Sequence, residues 1–352
     1  MDRDTIRVFS FAGGSTKGYG ENRFMQKLIQ QWGIAQEDFW QYVDAFAGVS
    51  IGAILASGYA FGKTPDEMNP FFTEKAKRIF TIRTAAEVAT GSHDANTNSN
   101  RPNTVQKIGL IALNDAFYAS PYVDSNYGSN ILHQTLVDNF GTVTLSNLSK
   151  PIVIPAVEQD LSRPVYFSNF NDPEYFIGND FQIVDVCRAS SAAFPYLPSY
   201  QFNDHDYIDG AFLINNAVDR AIMLARTVKP NAKRIVVINV GAGIGRNGFD
   251  GSEPLTGSDI AVAKIFAYTT LLMTNAEQNS HKNLQYEASR LNNNKYGIPL
   301  FYYGWYPTFP PTFNNEVDNS NDSWFSELDD IIDTHYAEES AEISSILTHL
   351  TA

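Results

Sequence analysis

The 352-residue chain has one cysteine, Cys187, and six histidines. A lone thiol cannot close an intramolecular disulfide, and no Cys/His ligand spacing is present, so disulfide scaffolds and zinc modules are both excluded. This cysteine usage fits a reducing compartment. Positive charge is also scarce, with 25 Lys and Arg against 39 Asp and Glu, a net charge of −14. Without a basic cluster, nucleic acid is a poor partner, because phosphate binding needs a positive surface that releases counterions. An anionic bilayer would repel the chain at long range. Met1 to Ile6 carries three charges and no basic n-region or apolar h-region follows, so no cleavable signal is visible. Long apolar spans are missing as well. Tyr296 to Asn315 is uncharged over 20 residues but holds four prolines, and Phe46 to Gly62, 17 residues, is rich in Gly, Ala and Ser. The expected setting is therefore cytoplasmic or peripheral at a membrane, or secreted without a cleavable signal, with no transmembrane segment.

What is present is ample core: 43% hydrophobic and 13% aromatic residues with 18% charged, the composition of a globular chain. Arg7 to Ala12 reads as a strand and Gly13 to Gly20 as a glycine loop, with Phe24 to Trp32 having helical periodicity. A second strand, Ala45 to Val49, turns at Ser50 into a helix ending near Gly58 to Gly62. Helices are predicted over Asn69 to Phe80, Asn130 to Asn139, Ile183 to Ala192 and Ala217 to Thr227. Strands are predicted at Ile152 to Val157, Pro164 to Ser168 and Tyr207 to Ile208, and the continuous apolar run Arg234 to Val240 suits a central parallel strand. Gly91 to Asn103 reads as a surface loop. Strands alternating with helices predict an α/β fold over residues 5–245. Residues 246–352 read as a mainly helical C-terminal extension packed on the same domain, with helices at Ile260 to Tyr286 and Asp322 to Leu350.

Gly48-Val49-Ser50-Ile51-Gly52 is a G-x-S-x-G elbow. Such a motif lifts a nucleophile onto a sharp strand-to-helix turn, where Gly48 and Gly52 are needed because no Cβ fits beside it. Ser50 then caps a helix N-terminus, where developing negative charge is favoured. Gly13-Gly14-Ser15-Thr16-Lys17-Gly18, at the end of the first strand, fails both the phosphate-loop and dinucleotide spacings. Its backbone amides suit an oxyanion hole. A true G-x-G-x-x-G does occur at Gly243 to Gly248, but the turn-rich Phe249 to Gly257 after it is not the helix a dinucleotide requires. Neither His93, His133, His205, His281, His335 nor His349 has an evident catalytic setting. Asp209-Gly210-Ala211 is the better source of a base: a strand-end carboxylate beside the smallest residues, able to take a serine proton if desolvated.

These elements in this order, with Ala189 to Pro195 between them, resemble the patatin-like phospholipases. That family has a D-G-G-G-x-[RK]-G loop, a G-x-S-x-G nucleophile and a D-G-[GA] aspartate. The resemblance covers about residues 5 to 245 and includes Asn239 to Gly243, similar to the family's S-L-G-T-G. It implies a three-layer α/β/α fold with a central, mostly parallel sheet, and a lipid acyl hydrolase of phospholipase A type. Ser50 would be the nucleophile, Asp209 its base, and the Gly13, Gly14 and Ser15 amides the oxyanion donors. No metal or cofactor is implied, and the partner is membrane or micellar lipid. Ala12 stands where the loop pattern has Asp, and Ser15 where it has Gly; Lys17 and Gly18 match. The alternatives are a Ser-His-Asp carboxylesterase using His281 or His335, and a weak or inactive lipid-binding homologue.

Phe301 to Phe313 holds seven aromatics and no charge. The alternation of Phe301, Tyr303 and Trp305 favours a strand packed on the sheet, with the Pro307 to Pro311 turn closing the core. The competing expectation is that Trp305, Tyr306 or Phe309 lies exposed beside the Ser50 site as a lipid contact.

Overall fold

A computed structural model describes residues 4–80, 129–170, 172, 176–178, 180–193, 196–245, 262–292, 298–315 and 318–351. The expected loop at Gly91 to Asn103 lies outside them. The centre of the molecule is one sheet in which β1 (Thr5–Phe11) is flanked by β2 (Ala45–Gly48) and β7 (Arg234–Val240), both parallel to it. Beyond β7 lies β8 (Leu300–Trp305), also parallel, and beyond β2 lies β3 (Ile152–Glu158). The antiparallel strands β4 (Arg163–Ser168), β5 (Tyr200–Phe202) and β6 (His205–Asp209) complete that side, giving the order β5-β6-β3-β2-β1-β7-β8 with β4 on β3.

The continuous apolar character of the central strands follows from burial on both faces. Phe9, Phe11, Phe46, Val236, Ile238 and Val240 join one core, while Ile6, Val8, Ala45, Ala47, Ile235 and Val237 join the other. The first face is covered by α1 (Gly18–Trp32), α2 (Ile51–Ala60), α3 (Pro65–Pro70), α4 (Ala76–Ile79), α5 (Ser129–Phe140) and α6 (Ile183–Ser190). The opposite face is covered by α7 (Val218–Val228) and α8 (Val262–Asn292). The fold is therefore the expected three-layer α/β/α arrangement.

The C-terminal region supplies more than helices. Besides α9 (Asp322–Glu338) and α10 (Ser340–Thr351), which pack on the first face, it contributes the edge strand β8 to the sheet. Trp305 is fully buried and stacks on Phe24 at 4.6 Å, and Tyr306 and Phe309 are buried too. The expectation of an exposed aromatic lipid contact at Trp305, Tyr306 or Phe309 is thus overturned: the alternating rings fill the space between β8, α1 and α9. α1 also begins at Gly18, earlier than periodicity predicted, because Gly18 lies under Ile51 and Phe72 and the helix packs from its first turn. A turn of π-helix, Phe71–Lys75, joins α3 to α4, with Phe71 and Phe72 turned into the core.

Two substitutions test this packing by urea unfolding. Trp305→Ala leaves a large unfilled volume and is expected to cost about 3–5 kcal/mol. Gly52→Ala would overlap the Phe11 and Ala12 carbonyls, rigid backbone that cannot give way, and is expected to cost about 2 kcal/mol or more.

Candidate active site

The site forms where two strands meet end to end on one edge of β3. β2 runs beside Ile152 and Val153, and β6, travelling the opposite way, runs beside Glu158, Val157 and Ala156. Between them Ile154 and Pro155 have no strand partner on that edge, a gap in which a missing N–H is harmless. The chain leaves β2 at the elbow as it reaches the gap, and β6 ends at Asp209 on the other side of it. Ser50 and Asp209 are brought together this way, although 159 positions (209 − 50) separate them.

The elbow at Ser50 is strained, with φ 56° and ψ −121° in a non-glycine residue. A Cβ on Gly48 would overlap the Gly52 carbonyl, and one on Gly52 the end of β1, so both flanking glycines answer a steric demand. α2 starts directly at Ile51. Ser190, at the end of α6, braces the turn: its Oγ accepts the Ser50 N–H at 3.0 Å and donates to the Pro155 carbonyl across the gap at 2.7 Å. Two residues on, the Ala192 carbonyl accepts the Asp209 N–H at 3.0 Å. Ser190 and Ala192, in the predicted linking stretch, thus tie both halves of the site to β3.

Asp209 is buried, accepts the Ala211 N–H at 2.8 Å, and has the Ser50 side chain close by. Burial pushes its carboxyl up to about 7, against the smaller opposing pull of the Ser50 side chain and the Ala211 N–H. Gly210 passes the Pro155 carbonyl so closely that a Cβ would meet it at 2.5 Å. The histidines considered as bases are engaged elsewhere. His281 Nδ1 pairs with the Tyr302 hydroxyl at 2.9 Å, and His335 sits against Trp305 and Glu339.

Gly13 lies against Ser50, where a Cβ would stand 3.1 Å from the serine Cβ. Its N–H, expected among the oxyanion donors, is instead donated to Asn215 Oδ1 at 2.8 Å and is not free for a ligand. The Gly14 and Ser15 amides meet no acceptor among the described residues. Ser15 holds φ 55°, the left-handed conformation that the glycine of the loop pattern would adopt without strain. Beneath the loop lies a buried polar cluster that sequence reading did not single out. Lys17 Nζ donates to Asn315 Oδ1 at 3.2 Å, and burial lowers the lysine to about 8 against the attraction of Glu277 and Glu21. Glu277, raised by burial to about 8, accepts from Asn215 Nδ2 at 3.2 Å. Gly243, Ile244 and Gly245 pack on the Pro307 to Phe309 turn, and Arg246, Asn247 and Gly248 of that G-x-G-x-x-G lie outside the described residues.

A model of the patatin-like phospholipase family matches residues 9–222. A cGAMP-activated phospholipase of Escherichia coli strain TW11681 is 26% identical over 223 residues, covering 61% of this chain and 54% of that protein. The human calcium-independent phospholipase A2-gamma is 24% identical over 249 residues, covering 68% of this chain and 28% of that protein. The structure of human GIVD cytosolic phospholipase A2 aligns with a TM-score of 0.47 at 11% identity, over 99% of this chain and 60% of that one. The chain thus spans about half the length of its bacterial relative.

The raised carboxyl has a stability consequence. Folded Asp209 keeps its proton up to about pH 7, whereas an unfolded aspartate loses it near pH 4. Between those values folding takes up a proton, so this group's contribution becomes less favourable as pH rises and the deficit is complete above about 7. Asp209→Asn is therefore expected to raise stability at pH 8 by on the order of 2 kcal/mol and to change it little at pH 4, read from urea midpoints at the two pH values.

Proposed function

The chain belongs to the patatin-like phospholipase family, and from that premise we propose that it hydrolyses carboxylic esters of lipids with Ser50 as nucleophile and Asp209 as base. The observation that carries the reading is the meeting of the strained Ser50 elbow with the buried carboxyl of Asp209 across the gap in the β3 edge, the Ser50 side chain lying near enough to hold that carboxyl's proton affinity down, while His281 and His335 are engaged elsewhere. Ser50 Oγ attacks the ester carbonyl while Asp209 takes its proton. The tetrahedral oxyanion is held by the Gly14 and Ser15 amides and by its place at the α2 N-terminus. On collapse the alcohol leaves with the proton from Asp209, and an acyl group remains on Ser50. Water then attacks that acyl group, giving its proton to Asp209, and the fatty acid departs as Ser50 recovers its hydrogen. The carboxyl's placement near 7 suits both directions of transfer.

Incubation with a mixed lipid extract, with products identified by mass, should release fatty acid from the wild type and none from Ser50→Ala. A fluorophosphonate probe should label the first and not the second. Asp209→Asn should lose turnover about as fully, since members of one catalytic unit are not additive. Because the base must be ionised, kcat/KM should rise about tenfold per pH unit below about 7 and level off above it. Near-normal turnover in Asp209→Asn, with loss in His281→Ala, would sink the pairing.

A further inference from the structure

Asn215 touches the loop in a way that the reaction steps above leave unused. It lies six positions beyond Asp209 (215 − 209), on the segment that follows the β6 end. Its primary amide faces the backbone of Gly13 with both of its polar atoms: Oδ1 accepts the Gly13 N–H at 2.8 Å, and Nδ2 donates to the Gly13 carbonyl at 3.4 Å. The same Nδ2 donates to Glu277 Oε2 at 3.2 Å, so the amide is itself held from α8. All three residues are buried or nearly so.

A trans peptide is planar, with its C=O and N–H pointing in opposite directions. Fixing the carbonyl of Gly13 on the Asn215 side therefore fixes the N–H of Gly14 on the other side. Two successive glycines are the pair least able to hold that orientation themselves, since each accepts either sign of φ at little cost. A flip of the Gly13–Gly14 peptide would replace a donor by a carbonyl oxygen, which repels a developing oxyanion. We propose that Asn215 is a positioning residue that clasps Gly13 and so keeps the Gly14 N–H aimed as an oxyanion donor, with Glu277 holding the clasp. The proposal rests on Ser50 being the nucleophile beside that loop.

Its reach is in the transition state, where charge on the oxygen develops, so losing the clasp should lower kcat and leave KM nearly unchanged. Misplacement of a donor by about 1 Å costs on the order of 10²-fold in rate. Asn215→Ala is expected to lose about that factor in kcat on a soluble short-chain ester, with KM within about threefold of wild type. Because an alanine at a buried site also loosens packing, an exchange of donor and acceptor provides the second test. Asn215→Asp keeps the size of the side chain but puts an acceptor where Nδ2 donated to the Gly13 carbonyl and to Glu277, and should be as impaired. Combining it with Glu277→Gln lets the glutamine N–H donate to the new carboxylate and should return urea stability toward wild type, but nothing then donates to the Gly13 carbonyl, so kcat should stay within about threefold of Asn215→Asp.

Ser50→Ala run alongside separates the two levels. Inactive Ser50→Ala with Asn215→Ala within about threefold of wild-type kcat would overturn the clasp and leave the nucleophile standing. A double variant with wild-type kcat, despite having no donor for the Gly13 carbonyl, would overturn it equally. Full turnover in Ser50→Ala would instead remove the reading of the site on which the clasp depends.

Discussion

The geometry of the site depends on one constraint in the sheet: a single edge of β3 is shared by two strands that approach each other and stop short. A continuous strand there would leave no opening, and two strands on different edges would place Ser50 and Asp209 apart. The arrangement also decides which residues the gap tolerates. Pro155 lacks the N–H that a ladder would need, and its carbonyl is satisfied by a side chain, Ser190, instead of a neighbouring strand. The elbow glycines and Gly210 then follow, since three backbone segments converge where a ladder would otherwise hold them at the ordinary spacing.

Burial is used differently on the two sides of the glycine loop. At Asp209 it raises a carboxyl toward neutrality against the smaller pull of the Ser50 side chain and the Ala211 N–H, which favours a group able to accept and return a proton. Under the loop it brings Lys17, Glu21 and Glu277 into mutual reach, where both Glu21 oxygens lack hydrogen-bond partners among the described residues. Such a cluster is a poor source of stability, because desolvation offsets most of the attraction. Its structural effect is to hold Asn215 and Lys17 at fixed places behind the loop.

Much of this was legible in the sequence, for identifiable reasons. Arg234 to Val240 is apolar at almost every position because it is covered on both faces, and its observed bounds match the reading. Ser50 was marked by two glycines whose need is local and steric. Asp209 was marked by its strand end and the small residues after it. What escaped was long-range: Asn215 reaches Gly13 across 202 positions and Ser190 reaches Ser50 across 140, and neither has a local signature. The availability of the Gly13 amide could not be judged without that partner. The aromatic run at Phe301 to Phe313 was ambiguous because its rings suit a bilayer interface or a core equally well, and only the neighbours Phe24, α9 and α10 decide between them.

The pairing of β1 with β7 has a consequence for how the molecule comes into being. Thr5 and Arg234, joined by a side-chain hydrogen bond where the two strands begin, are 229 positions apart. A strand that ends up buried along its whole length must therefore wait for one of its two neighbours. At about 5–20 residues per second of synthesis, that wait is on the order of 10–45 s. Throughout it the apolar TIRVFSF segment has β2 as its near partner and an open edge on the other side. Closing so long a loop is slow, and folding rates fall as contacts become more distant in sequence. The nascent chain is thus exposed to aggregation for a long interval at a strand that later lies wholly buried.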